Sequence, residues 1–315
     1  MNKSMRDGFG EALEELGERD EDVVVLTADL AESTRVAGFA RKFPERFFQV
    51  GVAEQALVTV AAGLAEAGKI PFITTYAVFS PGRTFEQIKV TAALNDLPVK
   101  IVGAHAGFGA SMYGATHESL EDIALMRVIP NMVVVSPCDF AEAKKATLAI
   151  ADNSKPTYLR LARQESADIT KEGGNFSLDK IEIISESKDP KVTIVGTGPV
   201  LAEGVKAAVE LEEIGIGAVV LNAHTIKPID DVTLTHFAKL TEGFVTVEEH
   251  QIAGGLGSVV SEVLSQTHPA PIEFVGVKDT FGESAKTYQE LWDKFGLSSK
   301  NIVDAAKKVI SRKSF

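Results

Sequence analysis

The chain has 315 residues, of which 45% are hydrophobic and 24% are charged, as expected for a globular protein of about two domains. With 32 Lys and Arg against 44 Asp and Glu, its formal net charge of −12 argues against non-specific nucleic-acid binding, which needs a basic surface. The single cysteine, Cys138, excludes an internal disulfide framework and fits a reducing compartment. The start has no apolar signal core, and no apolar run approaches the ~20 residues that cross a bilayer, so we expect a cytoplasmic protein with no membrane partner.

The first part of the chain alternates short apolar runs with helical patterns. The apolar runs predict strands at Val23–Thr27, Phe72–Thr75, Val99–Val102, Met132–Val135 and Tyr158–Leu161. Apolar residues at helical spacing predict helices around Arg83–Leu94 and Phe140–Ala151. This alternation predicts a parallel sheet covered by helices.

A polar stretch near Ser166, which carries Gly173 and Gly174, predicts a linker. A second alternation then predicts Val192–Val195, Ala218–Leu221, Phe244–Val247 and Ile272–Val277 as strands, with helices at Val200–Leu211, Asp230–Leu240, Gly257–Leu264 and Ile302–Ile310. We therefore predict an α/β protein of two domains, residues 1–167 and 191–315, each a mostly parallel sheet flanked by helices, joined by a linker at 168–190.

Glu54 stands between an apolar run and an Ala-rich stretch. The apolar positions after it fall at helical spacing, which predicts that Glu54 lies in the first turn of a buried helix: Ala53, Ala56, Leu57, Val60, Ala61 and Leu64. A carboxylate is rarely tolerated in apolar surroundings unless something uses it. The alternative is that Glu54 only caps its own helix, since acidic residues favour the first turn.

The segment "VGVAEQALVTVAAGLAEAGKIPF" resembles the pyrimidine-binding domain of transketolases. The resemblance runs from "MRDGFGEALEEL" to "FGLSSKNIVDAAKKVI", and it covers only the second part of a complete transketolase. It implies that Glu54 contacts the aminopyrimidine ring of thiamine diphosphate and controls a proton there. It implies that the second domain is mainly an assembly surface.

Aromatic and histidine side chains that are suited to contact a flat cofactor and a sugar follow two of the predicted strands. Tyr76 and Phe79 in "TTYAVFSPGRTFEQIKV" are suited to pack on a heterocycle, although ordinary core residues give the same pattern. His105 and His117 lie in the Gly-rich "AHAGFGASMYGATHES", at a strand end where α/β proteins bind ligands, although loop histidines are usually surface residues. The resemblance assigns Tyr76 and Phe79 to the pyrimidine ring, His117 to the donor hydroxyl nearest the scissile bond and His105 to the phosphate side.

Arg163 in "LRLARQES" follows the last predicted strand of the first domain, and guanidinium groups bind phosphate bidentately. The resemblance places Arg163 at the substrate phosphate with Arg6 and Ser33, and it places Asp29 near the thiamine site. Arg6 is the weaker candidate because a solvated charge is the default near a terminus, and Asp29 at a strand end is otherwise a turn former. Arg160, in the same strand, is interpreted as structural.

Two glycine motifs of the second domain do not identify a ligand. Gly196 and Gly198 follow a strand, but Leu201 stands where the dinucleotide fingerprint requires its third glycine. Gly254–Gly257 precedes a helix and is able to bind an anion there, although such glycines more often permit a tight turn.

Family members with both halves on one chain hold the diphosphate and its metal with a Gly-Asp-Gly motif and a downstream Asn. No Gly-Asp-Gly, H-E-x-x-H or C-x-x-C occurs in this sequence. We therefore assign no metal ligand to this chain and expect the partner subunit to hold the Mg²⁺ or Ca²⁺.

Three alternative interpretations of the sequence remain open: two related enzyme types and a non-catalytic subunit. Deoxyxylulose-phosphate synthases share a region like "FSPGRTFEQ" but carry arginine where this chain has His105. The β subunits of 2-oxoacid dehydrogenase E1 components also lack the diphosphate motif and keep a glutamate like Glu54, but do not usually show the "ATHE" and "LARQ" pair. A non-catalytic subunit that only stabilises its partner is the third interpretation, and it predicts that Glu54 is dispensable.

The favoured interpretation is the C-terminal subunit of a split transketolase. It would transfer a two-carbon ketol unit between ketose and aldose phosphates in the pentose phosphate pathway. It would act with an N-terminal subunit, as a heterotetramer. Tyr113 stands where transketolases carry an aspartate that reads a donor hydroxyl, and this leaves the exact sugar open.

Overall fold

The computed structural model describes residues 3–171 and 173–312, which form two α/β halves. The strands in chain order are β1 (Val23–Thr27), β2 (Phe47–Gln49), β3 (Ile70–Tyr76), β4 (Lys100–Ala104), β5 (Val133–Val135), β6 (Thr157–Arg160), β7 (Glu182–Glu186), β8 (Pro190–Gly196), β9 (Gly217–Asn222), β10 (Thr225–Lys227), β11 (Gly243–Gln251) and β12 (Ile272–Val277).

The helices surround two sheets. In chain order they are α1 (Met5–Arg19), α2 (Ala37–Lys42), α3 (Glu54–Glu66), α4 (Phe85–Gln87), α5 (Asp122–Arg127), α6 (Phe140–Ala151), α7 (Leu201–Glu213), α8 (Asp231–Leu240), α9 (Leu256–Gln266), α10 (Tyr288–Lys294) and α11 (Ser299–Ser311). A π-helix at Ile88–Ala93 continues α4, and short 3₁₀ turns lie at Pro44–Arg46 and Phe108–Ala110.

The first sheet has seven strands in the order β10-β5-β6-β4-β3-β1-β2, parallel except for β10. Alternate residues of each strand point to opposite faces, and both faces are apolar here. Val23 and Val25 pack into a core with α1 and α6, whereas Val24 and Leu26 pack into a second core with α3. This explains why the central strands read as continuous apolar runs in the sequence.

The second sheet has five strands in the order β12-β11-β8-β9-β7, parallel except for β7. The predicted fold class, two domains with mostly parallel sheets flanked by helices, is confirmed.

Three short strands escape the sequence patterns. β2 is a short edge strand, β7 lies inside the segment predicted as a linker and pairs with β9, and β10 crosses over to complete the first sheet beside β5. The linker prediction at 168–190 therefore needs correction at its end, because Glu182–Glu186 already belongs to the second sheet. The predicted helix at Arg83–Leu94 begins later and changes from α to π geometry.

Glu54 is the first residue of α3, as predicted, but the predicted burial of this helix is only partly right. Leu57 and Ala61 are buried, whereas Ala53, Ala56 and Val60 are exposed. Helical periodicity reports that these positions share a face, and it does not report whether that face packs within the chain or against another one.

Candidate functional site

The residues singled out from the sequence follow the carboxyl ends of parallel strands in the first sheet, the edge at which α/β proteins bind ligands. Asp29 follows β1, Tyr76 ends β3, His105 follows β4 and Arg163 follows β6. Neighbouring strands therefore deliver side chains that are far apart in sequence to one edge of the sheet.

Five rings at this edge form a continuous series. The Tyr113 ring lies 5.1 Å from the His117 ring, which meets the Phe79 ring edge-on at 5.5 Å. Phe79 stacks on Tyr76 at 5.9 Å with 12° between their planes, and Tyr76 lies 4.0 Å from His105. Phe79 and Tyr76 are both half-buried, so they are not enclosed core residues.

Glu54 is joined to this ring series by Arg83. The Glu54 side chain is only 3% exposed, and its Oε2 accepts a hydrogen bond from Arg83 Nη1 at 3.0 Å. The Arg83 guanidinium also lies 5.1 Å from the centroid of the Phe79 ring. Arg83 was not predicted as a site residue from the sequence, because its partner Glu54 lies on a different element.

Arg6 connects the residues predicted for the phosphate. Its guanidinium donates to the backbone oxygens of Ser33, at 2.6 Å, and of Arg163, at 3.0 Å. Arg6 is 8% exposed rather than solvated, and burial, with the nearby charges of Arg35 and Arg163, lowers its pKa to about 10. Its Nε has no hydrogen-bond partner within residues 3–171 and 173–312. The Arg163 side chain itself is exposed.

His105 is held in the left-handed backbone region, with φ of 59°, and is 3% exposed. Burial, followed by the charges of Arg6, Arg163 and Arg35, lowers its pKa to about 3. Its imidazole is therefore neutral at physiological pH, able to donate through one nitrogen and accept through the other. Its buried Nδ1 has no partner in the described part of the chain.

The remaining predicted residues lie around this group. His117 is half-buried, and its Nδ1 lies 2.9 Å from Thr116 Oγ1. Tyr113 is 57% exposed. Asp29 is exposed, and its backbone N–H donates to Gln49 Oε1 at 2.7 Å, so its observed bonds are to the end of β2.

Arg160 is structural, as the sequence indicated. It is buried, and its Nε donates to Asp122 Oδ2 at 2.8 Å, while Tyr158 Oη donates to the same oxygen at 2.6 Å. Arg160 Nη2 also donates to the backbone oxygen of Glu249 in the second half, at 2.9 Å. Breaking a buried, hydrogen-bonded ion pair is costly, so this network fixes β6 against the second half and positions Arg163 beyond it.

The helix start near Gly254–Gly257 is occupied by the chain itself. The buried Glu248 carboxylate accepts from the backbone N–H groups of Leu256, at 2.7 Å, and Gly257, at 2.9 Å. Burial raises the pKa of Glu248 to about 7, against the lowering effect of these hydrogen bonds. A Cβ at Gly255 would lie 1.9 Å from Glu248 Oε2, which explains the glycine, and no room remains for an external anion at these groups.

Comparison with known proteins decides the family. The family model of the transketolase pyrimidine-binding domain matches residues 1–167, and that of the transketolase C-terminal domain matches residues 179–302. The chain belongs to the transketolase family.

Its transketolase relatives include separate subunits. It is 42% identical over 311 residues to a 6-deoxy-6-sulfo-D-fructose transketolase subunit from Clostridium sp. (strain MSTE9), covering 99% of this chain and 96% of that one. It is 34% identical to an apulose-4-phosphate transketolase subunit from Phocaeicola vulgatus, covering 98% and 97%. A solved split-gene transketolase, described as an inactive beta4 tetramer, is 42% identical with a TM-score of 0.91, covering 98% and 99%.

Metal clusters and membrane-spanning helices are both absent from the described residues. No group of three or more His, Cys, Asp or Glu side chains in residues 3–171 and 173–312 is arranged to hold a metal ion. The helices of those residues include none long and apolar enough to span a bilayer.

Proposed function

We propose that this chain is the C-terminal subunit of a split, thiamine diphosphate-dependent transketolase that moves a two-carbon ketol unit from a ketose to an aldose. The observation that carries the proposal is the buried Glu54 carboxylate, linked through Arg83 to the stacked, half-buried rings of Phe79 and Tyr76. A carboxyl group and aromatic faces match an aminopyrimidine, which offers ring nitrogens at its edge and a flat π-surface.

Thiamine diphosphate supplies the electron sink for cleavage of the carbon–carbon bond next to the ketone. In this chain, Glu54 holds a proton at its carboxyl oxygen against the pyrimidine ring, and Arg83 fixes the orientation of that carboxyl group. Phe79 and Tyr76 would pack on the pyrimidine ring and limit its contact with water. We propose Asp29 as a further contact near the thiamine site.

The sugar is proposed to bind along the remaining side chains. His117 exchanges hydrogen bonds with the donor hydroxyl nearest the scissile bond, since an imidazole both donates and accepts. His105, neutral because of its burial and the surrounding guanidinium groups, lies toward the anionic end. Arg163 binds that end, and Arg6 and Ser33 support it through their mutual hydrogen bond.

The diphosphate and its Mg²⁺ or Ca²⁺ are proposed to be held by a separate N-terminal subunit. Support comes from the absence of Gly-Asp-Gly in the sequence and of a metal-binding cluster in residues 3–171 and 173–312. It also comes from an exposed apolar face beside Glu54, formed on α3, its preceding turn and the adjoining π-helix: Val52 (75% exposed), Val60 (44%), Val90 (42%) and Leu94 (76%). A contiguous exposed apolar face marks an interaction site, and we propose that subunits meet there in a heterotetramer.

The proposed function is tested by identifying the products of the reaction. The chain is combined with the N-terminal subunit that co-purifies with it from the native source, thiamine diphosphate and magnesium, and given a ketose phosphate and an aldose acceptor. We expect a donor shortened by two carbons and an acceptor lengthened by two. Failure of this transfer, together with decarboxylation of a 2-oxoacid such as pyruvate in a parallel assay, would reject the transketolase proposal. The natural sugar and cytoplasmic location remain predictions.

Tyr113 is predicted to weaken the discrimination between sugar donors that carry the hydroxyl beside the ketone and donors that lack it. An aspartate accepts through two charged oxygens, whereas tyrosine offers one neutral hydroxyl, so Tyr113→Asp should sharpen discrimination among donors. We expect about a tenfold larger ratio of kcat/KM between donors with and without that hydroxyl, as for one hydrogen bond to a charged group. Tyr113→Phe, which keeps the ring, is the matched control and should leave the ratio near wild type. An unchanged ratio in Tyr113→Asp would show that this residue does not contact the donor.

A further inference from the structure

A cavity of about 370 Å³ beside the proposed sugar site is lined by residues from both halves of the chain. Its charged lining residues are Arg6, Arg35, Arg163 and Lys286, against Asp7 and Glu165. The lining is therefore net positive by two charges in a chain whose formal net charge is −12. A positive cleft in an acidic protein focuses anions into itself.

Polar groups in the cavity wall lack partners. Arg6 is more than nine-tenths buried, and its Nε is unbonded within residues 3–171 and 173–312. The amide oxygen and nitrogen of Gln164 are also buried without partners in that part of the chain. Buried donors left unbonded are costly, which indicates that these groups bond to something that enters the cavity.

The backbone around Lys286 is fixed against the first half. Ala285 N–H donates to the Ser111 backbone oxygen at 2.9 Å, next to the loop that carries Tyr113. Thr287 is the N-cap of α10, and the Lys286 N–H donates to Glu290 Oε2 at 3.3 Å. Lys286 therefore stands directly before a capped helix, in the wall of the cavity that the arginines also line.

We propose that Lys286 is a specificity-determining residue, which binds the tetrahedral oxyanion at the far end of the substrate together with Arg163. This inference rests on the proposed function. An ammonium is a point charge with three rotatable donors, and it complements the bidentate guanidinium fork around one tetrahedral group. The second domain then selects the substrate, and is not only an assembly surface.

The kinetic test compares Lys286→Gln with wild type in the two-subunit enzyme. We expect KM for a ketose phosphate to rise roughly two- to fivefold, as for an exposed charge pair, with kcat nearly unchanged. KM for hydroxypyruvate, which has no distal anion, should not change, and Lys286→Arg should restore most of the loss. Lys294→Gln is the matched control, because Lys294 lies on the helix that follows Lys286 and pairs with Glu283. Equal KM values for the ketose phosphate in wild type and Lys286→Gln would overturn the proposal.

A binding test on the isolated chain separates this proposal from the proposed function, since it needs no turnover. Thermal melts are titrated with inorganic phosphate and with methanesulfonate, against sodium chloride at equal ionic strength. We expect the apparent Kd for phosphate to be roughly two- to fivefold higher in Lys286→Gln than in wild type or Lys294→Gln. If Lys286 also binds a sulfonate, the apparent Kd for methanesulfonate should rise in Lys286→Gln in the same way. Identical Kd values in Lys286→Gln and wild type would remove Lys286 from the anion site even if ketol transfer is observed.

Discussion

Turnover of the two-subunit enzyme is expected to fall about 10²- to 10⁴-fold when Glu54 is replaced by Gln, the range typical of a lost general acid–base group. The Glu54→Gln change keeps the shape of the side chain and an oxygen for the Arg83 hydrogen bond, but an amide cannot hold or release the proton at the pyrimidine ring. Stopped assays of kcat with saturating cofactor measure the loss, and the melting temperature should stay within a few degrees of wild type.

Glu66→Gln provides the matched control, because Glu66 is exposed at the opposite end of the same helix. It makes the same change in charge away from the site, and wild-type turnover is expected. If Glu54→Gln also turned over at nearly the wild-type rate, the carboxyl group would be dispensable, and the subunit would only stabilise its partner.

Arg163→Ala is expected to weaken the binding of phosphorylated sugars selectively. Loss of one charge-assisted pair costs about 1.5–3 kcal/mol, which corresponds to about a ten- to hundredfold increase in KM. Hydroxypyruvate should show a much smaller increase, because it has no distal anion for Arg163 to bind. The backbone oxygen of Arg163 still accepts from Arg6 in this variant, so the supporting bond is kept.

Arg19→Ala is the control for this comparison. Arg19 ends the helix whose first turn carries Arg6, and it pairs with Asp152 at 2.6 Å. It should leave both KM values unchanged. Equal penalties for the two donors in Arg163→Ala would place Arg163 outside the anion site.

The fold was largely predictable because strands covered on both faces give continuous apolar runs, as in β1 and β4. β10 was not predictable, since its few residues pair with β5, a strand nearly a hundred positions earlier. The exposure of Val60 was not predictable from the sequence either. An apolar position looks the same in a sequence whether it packs within its own chain or against another.

The clustering of the candidate site residues was predictable where the sequence places them at strand ends. Tyr76, His105 and Arg163 follow neighbouring strands, so topology alone brings them to one edge. Arg83 and Lys286 were not singled out from the sequence, because Arg83 meets Glu54 and Lys286 reaches the cavity only in the folded chain. Glu248 was missed for the same reason. Its carboxylate accepts the backbone hydrogen bonds at the start of α9, where the sequence left open whether Gly254–Gly257 binds an anion.

The proposed enzyme needs a second polypeptide for activity, and turnover of the purified chain tests this requirement directly. The chain is assayed alone and with increasing amounts of the N-terminal subunit, in the presence of thiamine diphosphate, magnesium and a ketose/aldose phosphate pair. We expect no turnover above background and only weak cofactor binding from the chain alone, with activity that appears on addition of the partner and saturates at equal subunit concentrations. Robust turnover by the chain alone would show that no second subunit is required.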